Sequence, residues 1–88
     1  MVQNYPNPFN PSTKIKFGLP EANEVSVTIY NVMGKVVKEL TDDFYDSGFH
    51  TISWNGTDKI GRNVSAGMYF YKVSSGDFIK IKKMILLK

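Results

Sequence analysis

The apolar residues of this chain recur with a period of two, in short runs, and that alternation limits what it can fold into more than any other feature. Ile15, Phe17 and Leu19 alternate with Lys14, Lys16 and Gly18, and Val25, Val27 and Ile29 alternate with Ser26, Thr28 and Tyr30. Tyr69, Tyr71 and Val73 likewise oppose Met68, Phe70 and Lys72. Successive side chains of a strand point to opposite faces, so each run reads as a strand with one dry face. A helix would need its apolar residues three and four apart, and no stretch shows that spacing. Short β segments divided by turn signals every ~8 to 12 residues indicate an all-β chain, a seven-stranded antiparallel β-sandwich of immunoglobulin-like architecture. The Cys…Trp…Cys pattern of antibody domains is missing, because the chain has no cysteine.

The punctuation between the runs fits that reading. Pro20-Glu21-Ala22-Asn23-Glu24 is a turn, and Asn31-Val32-Met33-Gly34-Lys35 is a hairpin in which Gly34 supplies the positive φ of a bulge. Residues 36–40 form the return strand. Residues 41–48 carry Asp42, Asp43 and Asp46 and end in Ser-Gly, which marks a loop or a ragged edge. Residues 49–54 form a strand with Ile52 and Trp54 on one face, followed by a polar connection over 55–63 that contains Gly61. Gly34, Gly61 and Gly67 are assigned to turns. The expected core is Ile15, Phe17, Val27, Ile29, Ile52, Trp54, Tyr69 and Tyr71. A chain of 88 residues hides only about 60 to 65 % of its unfolded surface, so aromatic rings, at roughly 150 to 250 Å² each, must supply much of that core.

The two ends of the chain are unlike its middle. Asn4-Tyr5-Pro6-Asn7-Pro8-Phe9-Asn10-Pro11 places three prolines within six residues, and each fixes its own φ and extends its predecessor. Residues 1–13 read as a stiff lead-in from a preceding domain, pinned by Tyr5 and Phe9, and residues 14–88 as the sandwich. The final strand runs from Phe78 nearly to Lys88. Ile79, Ile81, Ile85 and Leu87 share one face, read here as the inner one, with Lys83 interrupting it as a bulge. Lys80 and Lys82 share the other face with Met84 and Leu86. Apolar residues on both faces imply either a central place in a sheet or a surface that a partner covers.

Little in the chain can support catalysis. With no cysteine and His50 as the sole histidine, the usual nucleophile–base pairs are hard to assemble. Asp42, Asp43 and Asp46 do not have the spacing of a calcium loop, and Asp58 suits the capping of backbone groups in its turn. Asn55-Gly56-Thr57 and Asn63-Val64-Ser65 match the glycosylation sequon, a short pattern that often arises by chance. A basic end without exposed stacking aromatics argues against nucleic acid. No apolar run approaches the ~20 residues that span a bilayer, and the N-terminus does not resemble a signal peptide. The expectation is a non-enzymatic domain with no cofactor, no metal and no nucleic-acid partner.

Four segments in order carry a resemblance. They are the Asn4-to-Pro11 opening, Val27-Thr28-Ile29-Tyr30-Asn31-Val32-Met33-Gly34-Lys35-Val36-Val37, then Trp54-Asn55-Gly56-Thr57-Asp58 with Gly61 and Ala66-Gly67-Met68-Tyr69-Phe70-Tyr71, and finally Lys82-Lys83-Met84-Ile85-Leu86-Leu87-Lys88. In these the chain resembles the type IX secretion system (Por secretion system) C-terminal sorting domain, type A; Asn55 departs from it, where an Asp is frequent. The resemblance implies a tag covalently joined to a larger carrier that crosses the inner membrane by its own signal. The tag directs the carrier from the periplasm across the outer membrane through the type IX translocon. A sortase-like peptidase then cuts it off and can join the carrier to the cell surface. A similar module occurs in flagellar hook-capping proteins. On this reading Lys80, Lys82, Lys83, Met84, Ile85, Leu86, Leu87 and Lys88 form the recognised signal, or else Met84 to Leu87 are core alone. Two other roles are a structural or adhesive spacer and a carbohydrate-binding module using Tyr30 and Tyr45.

Overall fold

The computed structural model describes residues 2–87. Its strands are β1 (Val2–Tyr5), β2 (Thr13–Leu19), β3 (Asn23–Tyr30), β4 (Val36–Tyr45), β5 (Gly48–Trp54), β6 (Gly67–Ser75) and β7 (Phe78–Leu86), and no helix occurs among the described residues. One sheet has three strands in the order β1-β2-β5; the other has four in the order β4-β3-β6-β7. Every pairing between these strands is antiparallel. The alternation in the sequence is the cause: each strand's dry face has nowhere to go except against the other sheet.

The core lies between the sheets. Ile15, Phe17, Val27, Ile29, Trp54, Tyr69 and Tyr71 are buried there, while Ile52 packs against them partly buried. Trp54 is the pivot: its ring meets Phe9 at 5.7 Å and Tyr69 at 5.4 Å, and its indole N–H donates to the Thr57 carbonyl at 2.8 Å. Gly34, Gly61 and Gly67 have φ of 81°, 87° and 142°. At Gly34 the positive φ closes the β3–β4 hairpin, whose Asn31 Oδ1 accepts from Met33 N and Lys35 N at 2.9 and 3.0 Å.

Three details differ from the sequence reading, and one alternative in it is decided. Val2–Tyr5 is a strand paired with β2, so the proline-rich opening contributes a sheet edge, which proline content had masked. Phe9 is buried, but Tyr5 is 78 % exposed and pins nothing. Of the two alternatives for residues 41–48, the edge holds for 41–45: they continue β4 in unbroken register with residues 23–27, and the register shifts lie before them, opposite Val27/Thr28 and Ile29/Tyr30. Finally, β7 faces the other way: Met84 and Leu86 point into the core, and Ile79, Ile81 and Leu87 are exposed. The β6–β7 register runs without a break from Gly67↔Leu86 to Ser75↔Phe78, so Lys83 makes no bulge. The facing is set by β6, whose buried Tyr69 pairs with Met84.

Candidate functional site

Strand β7 ends the four-stranded sheet, so it is an edge and not a central strand. Its even-numbered residues bond to β6, and its odd-numbered residues turn their N–H and C=O outward. An edge of this kind offers a row of unpaired main-chain groups to any extended chain.

Half of that row is already taken. The opening segment passes from β1 across to β7 and lies parallel to it at Phe9↔Leu86. Phe9 N donates to Ile85 O at 2.9 Å, and Leu87 N donates to Phe9 O at 2.8 Å. The Asn7 side chain acts as a short surrogate strand: Ile85 N donates to its Oδ1 at 3.0 Å, and its Nδ2 donates to Lys83 O at 3.3 Å. The segment is held in turn by the buried Phe9 ring and by Thr13, whose hydroxyl donates to Pro6 O at 2.8 Å and accepts from Asn4 Nδ2 at 3.2 Å.

The other half, residues 78–82, has no strand beside it among the described residues. Lys80 and Lys82 lie on the core-facing side there, by the same alternation that buries Met84 and Leu86. Inward-pointing charges on an edge oppose indiscriminate pairing between copies. Arg62–Asp58, at 3.3 Å, is the ion pair found among the described residues, and no acid pairs with Lys80 or Lys82. On the outer side Ile79 and Ile81 are each 59 % exposed, and a shallow apolar groove runs from Ile81 past Phe70 to Tyr30 and Val32. Of the residues read as a signal, Met84 and Leu86 are therefore core, Lys82 and Ile85 are half-buried, and Lys80, Lys83 and Leu87 are exposed; Ile79 and Ile81, outside that set, form an exposed apolar stripe that adjoins Lys80 and Lys82. Lys88 lies outside the described residues.

Elsewhere the structure offers less. Asp58 caps its own turn, accepting from Ile60 N and Arg62 N at 3.1 and 3.0 Å. The backbone bond from Arg62 is the chief cause holding its carboxyl below the usual value. His50 packs edge-on to Tyr45 and beside Phe17, with Nε2 2.7 Å from the Asp46 carbonyl. No cluster of three metal-capable side chains occurs among the described residues. Tyr45 packs against Phe17 and its hydroxyl meets Thr41 Oγ1 at 2.7 Å, whereas Tyr30 lies on the outer face under the Lys72 ammonium at 5.6 Å; the two rings share no platform. An open cleft at the end of the sandwich is lined by Val32, Met33, Val36, Ile60 and Met68, all substantially exposed.

The comparisons with known proteins agree with this architecture. The sequence profile of the family described as "Secretion system C-terminal sorting domain" matches residues 3–87. No curated protein sequence matches the chain. Among solved structures, PorZ of Porphyromonas gingivalis, described as an essential bacterial surface component of the type-IX secretion system, is similar with a TM-score of 0.70 and 22 % identity. Dimeric latent PorU from the same organism is similar with a TM-score of 0.77 and 26 % identity. These alignments cover 99 % and 98 % of the chain but only 11 % of PorZ and 9 % of PorU. FlgD from P. aeruginosa shares the fold, with a TM-score of 0.66 and 22 % identity over 84 % of the chain and 57 % of that protein.

Proposed function

The chain belongs to the secretion system C-terminal sorting domain family, and on that premise we propose that it is the sorting tag of a larger carrier protein, read by the type IX apparatus through β7. The carrier passes through the periplasm and is delivered to the cell surface or the extracellular space. The tag performs no chemistry; a sortase-like peptidase removes it. Type IX, rather than another apparatus, is supported by the likeness to PorU at 26 % identity over nearly the whole chain.

One observation carries the reading of β7: it is a sheet edge whose residues 78–82 combine exposed isoleucines with a main chain and lysines that have no partner among the described residues. Strand addition to such an edge is an established mode of recognition. Met84 and Leu86 hold the strand to the body, so the signal and its anchor are successive halves of one strand.

The experiment is secretion of a fluorescent carrier fused to this chain, in a host with and without the type IX apparatus. Truncating the last residues would be ambiguous, because it removes Met84 and Leu86 from the core. The combined exposed changes Ile79→Ser, Ile81→Ser, Lys80→Glu and Lys82→Glu avoid that. Surface delivery should depend on the apparatus and fall sharply in the variant while the fusion stays folded. Delivery without the apparatus would favour a plain structural or adhesive spacer, and undiminished delivery of the variant would remove β7 from recognition.

A further inference from the structure

We propose that the open half of β7, residues 78–82, takes up an extended partner strand in which apolar and acidic side chains alternate, and that Asn7 and Phe9 fix where that strand must stop. This rests on β7 being the recognised strand and adds the chemistry of what recognises it.

A strand added to an edge extends the sheet, so its side chains fall on the same two faces as those of its neighbour. Cross-strand neighbours on one face lie about 5 Å apart, where opposite charges attract and like charges repel. On the outer face the incoming residues would sit beside Ile79 and Ile81, which are exposed and continuous with the groove to Phe70 and Tyr30. Apolar side chains extend that stripe and cover it. On the inner side they would sit beside Lys80 and Lys82, which have no acidic partner among the described residues. From the other sheet, β1 touches β7, and its residues Val2, Gln3, Asn4 and Tyr5 include no acid; near the start of this half, Glu21 shares a cleft with Phe78 and makes no ion pair with Lys80 or Lys82. The lysine charge is thus uncompensated on the side where the partner's alternate residues must go. Glutamate or aspartate completes it; lysine or arginine is rejected.

The length of the partner's contact is fixed from the other end. Beyond Lys83 the outward groups are already bonded to Asn7 and Phe9, and Phe9 is too deeply buried to yield without opening the core. The partner therefore reads about five residues.

A second copy of the chain is the competing occupant, since the opposite edge of the same sheet is acidic. Strand β4 does not have the required pattern. Asp42 pairs with Ser26 and Asp43 with buried Val25, so its acids fall on both faces, and register shifts interrupt it. A β4-to-β7 contact between copies would also be head-to-tail, giving a ring or a filament and not a closed two-fold dimer.

The probe is the capped peptide Ser-Val-Glu-Val-Glu-Val-Ser, compared with its counterpart carrying lysine at both glutamate positions. Each is titrated into the full chain while backbone amides are followed by NMR. The Glu peptide should perturb Ile79 and Ile81 and bind at least tenfold more tightly than the Lys peptide. Lys80→Glu with Lys82→Glu should reverse that preference. Ile81→Pro, which removes one outward N–H at a position an edge tolerates, should abolish binding, with near-UV circular dichroism verifying the fold. Asn7→Ala should extend the perturbation to Ile85. Equal affinity for the two peptides, binding that survives Ile81→Pro, perturbation centred on β4, or no binding at millimolar peptide would each overturn the proposal. So would concentration-dependent self-association that competes with the peptide. Failure here alongside apparatus-dependent secretion of the fusion would reject the strand chemistry and leave the sorting role standing.

Discussion

The two halves of β7 share a strand, a sheet and an uninterrupted register with β6, yet differ in everything that decides accessibility. From the Lys83 carbonyl to the Leu87 amide the outward main chain is bonded by Asn7 and Phe9, and this half drives Met84 and Leu86 fully into the core. Residues 78–82 have an open edge, lysines on the inward side and isoleucines on the outward side. The contrast shows how one short strand can both anchor and advertise. The anchoring half uses a segment distant in sequence to complete its hydrogen bonds. The advertising half is kept from pairing indiscriminately by charge alone.

The largest expected effect breaks the anchor. Phe9→Ala removes a buried ring that packs against Trp54 and should cost about 3 to 5 kcal/mol in urea unfolding, a large share of a total of roughly 5 to 15 kcal/mol. It should also detach the segment from Ile85 and Leu87.

Next comes the inner side where the two halves meet. Tyr71 pairs with Lys82 and is fully buried, and its hydroxyl has no partner among the described residues. Burial pushes its pKa up to about 12 from an ordinary 10.0. The folded state then holds this proton more tightly than the unfolded one. At pH below 10 the group adds no pH dependence; between pH 10 and 12 folding loses stability as the unfolded chain ionises first. Compared with Tyr71→Phe, the native chain should lose roughly 1 to 3 kcal/mol across that window. At neutral pH the substitution should be neutral or stabilising by up to ~1 kcal/mol, since it removes an unsatisfied polar group.

Asn7→Ala sharpens the comparison more gently. It deletes two exposed hydrogen bonds to β7, about 1 kcal/mol in all, and should accelerate amide exchange at Ile85 without altering Ile81. Smallest of all is Ile81→Ser, on the exposed face of the open half. It should move stability by no more than ~0.5 kcal/mol in the same urea assay, while Met84→Ala, three residues on, should cost about 2 to 5 kcal/mol.

Much of the fold was legible in the sequence because period-two alternation is a local signal. Ile15, Phe17, Val27 and Ile29 declare their facing through their immediate neighbours, and Asn31 with Gly34 declares a hairpin. Strand β1 was hidden because prolines follow it directly, and proline is read as the absence of a strand. The facing of β7 was misjudged because Ile79, Ile81, Ile85 and Leu87 are the more apolar set. Nothing within β7 favours Met84 and Leu86 over them; pairing with buried Tyr69 on β6 decides it. The role of Asn7 as an edge cover was invisible, since its partners lie 76 and 78 residues away. Three prolines within six residues beside Asn7 and Phe9 were the one available hint that this segment is held extended.

The division of β7 into an open and a covered half is tested most directly by native-state hydrogen exchange at four outward amides, two on each side of Lys83. Ile79 and Ile81 should exchange at rates close to those of an unstructured chain. Ile85 and Leu87 should be protected at least ~100-fold more strongly. Uniform protection along all four amides, or faster exchange at Ile85 and Leu87, would contradict it.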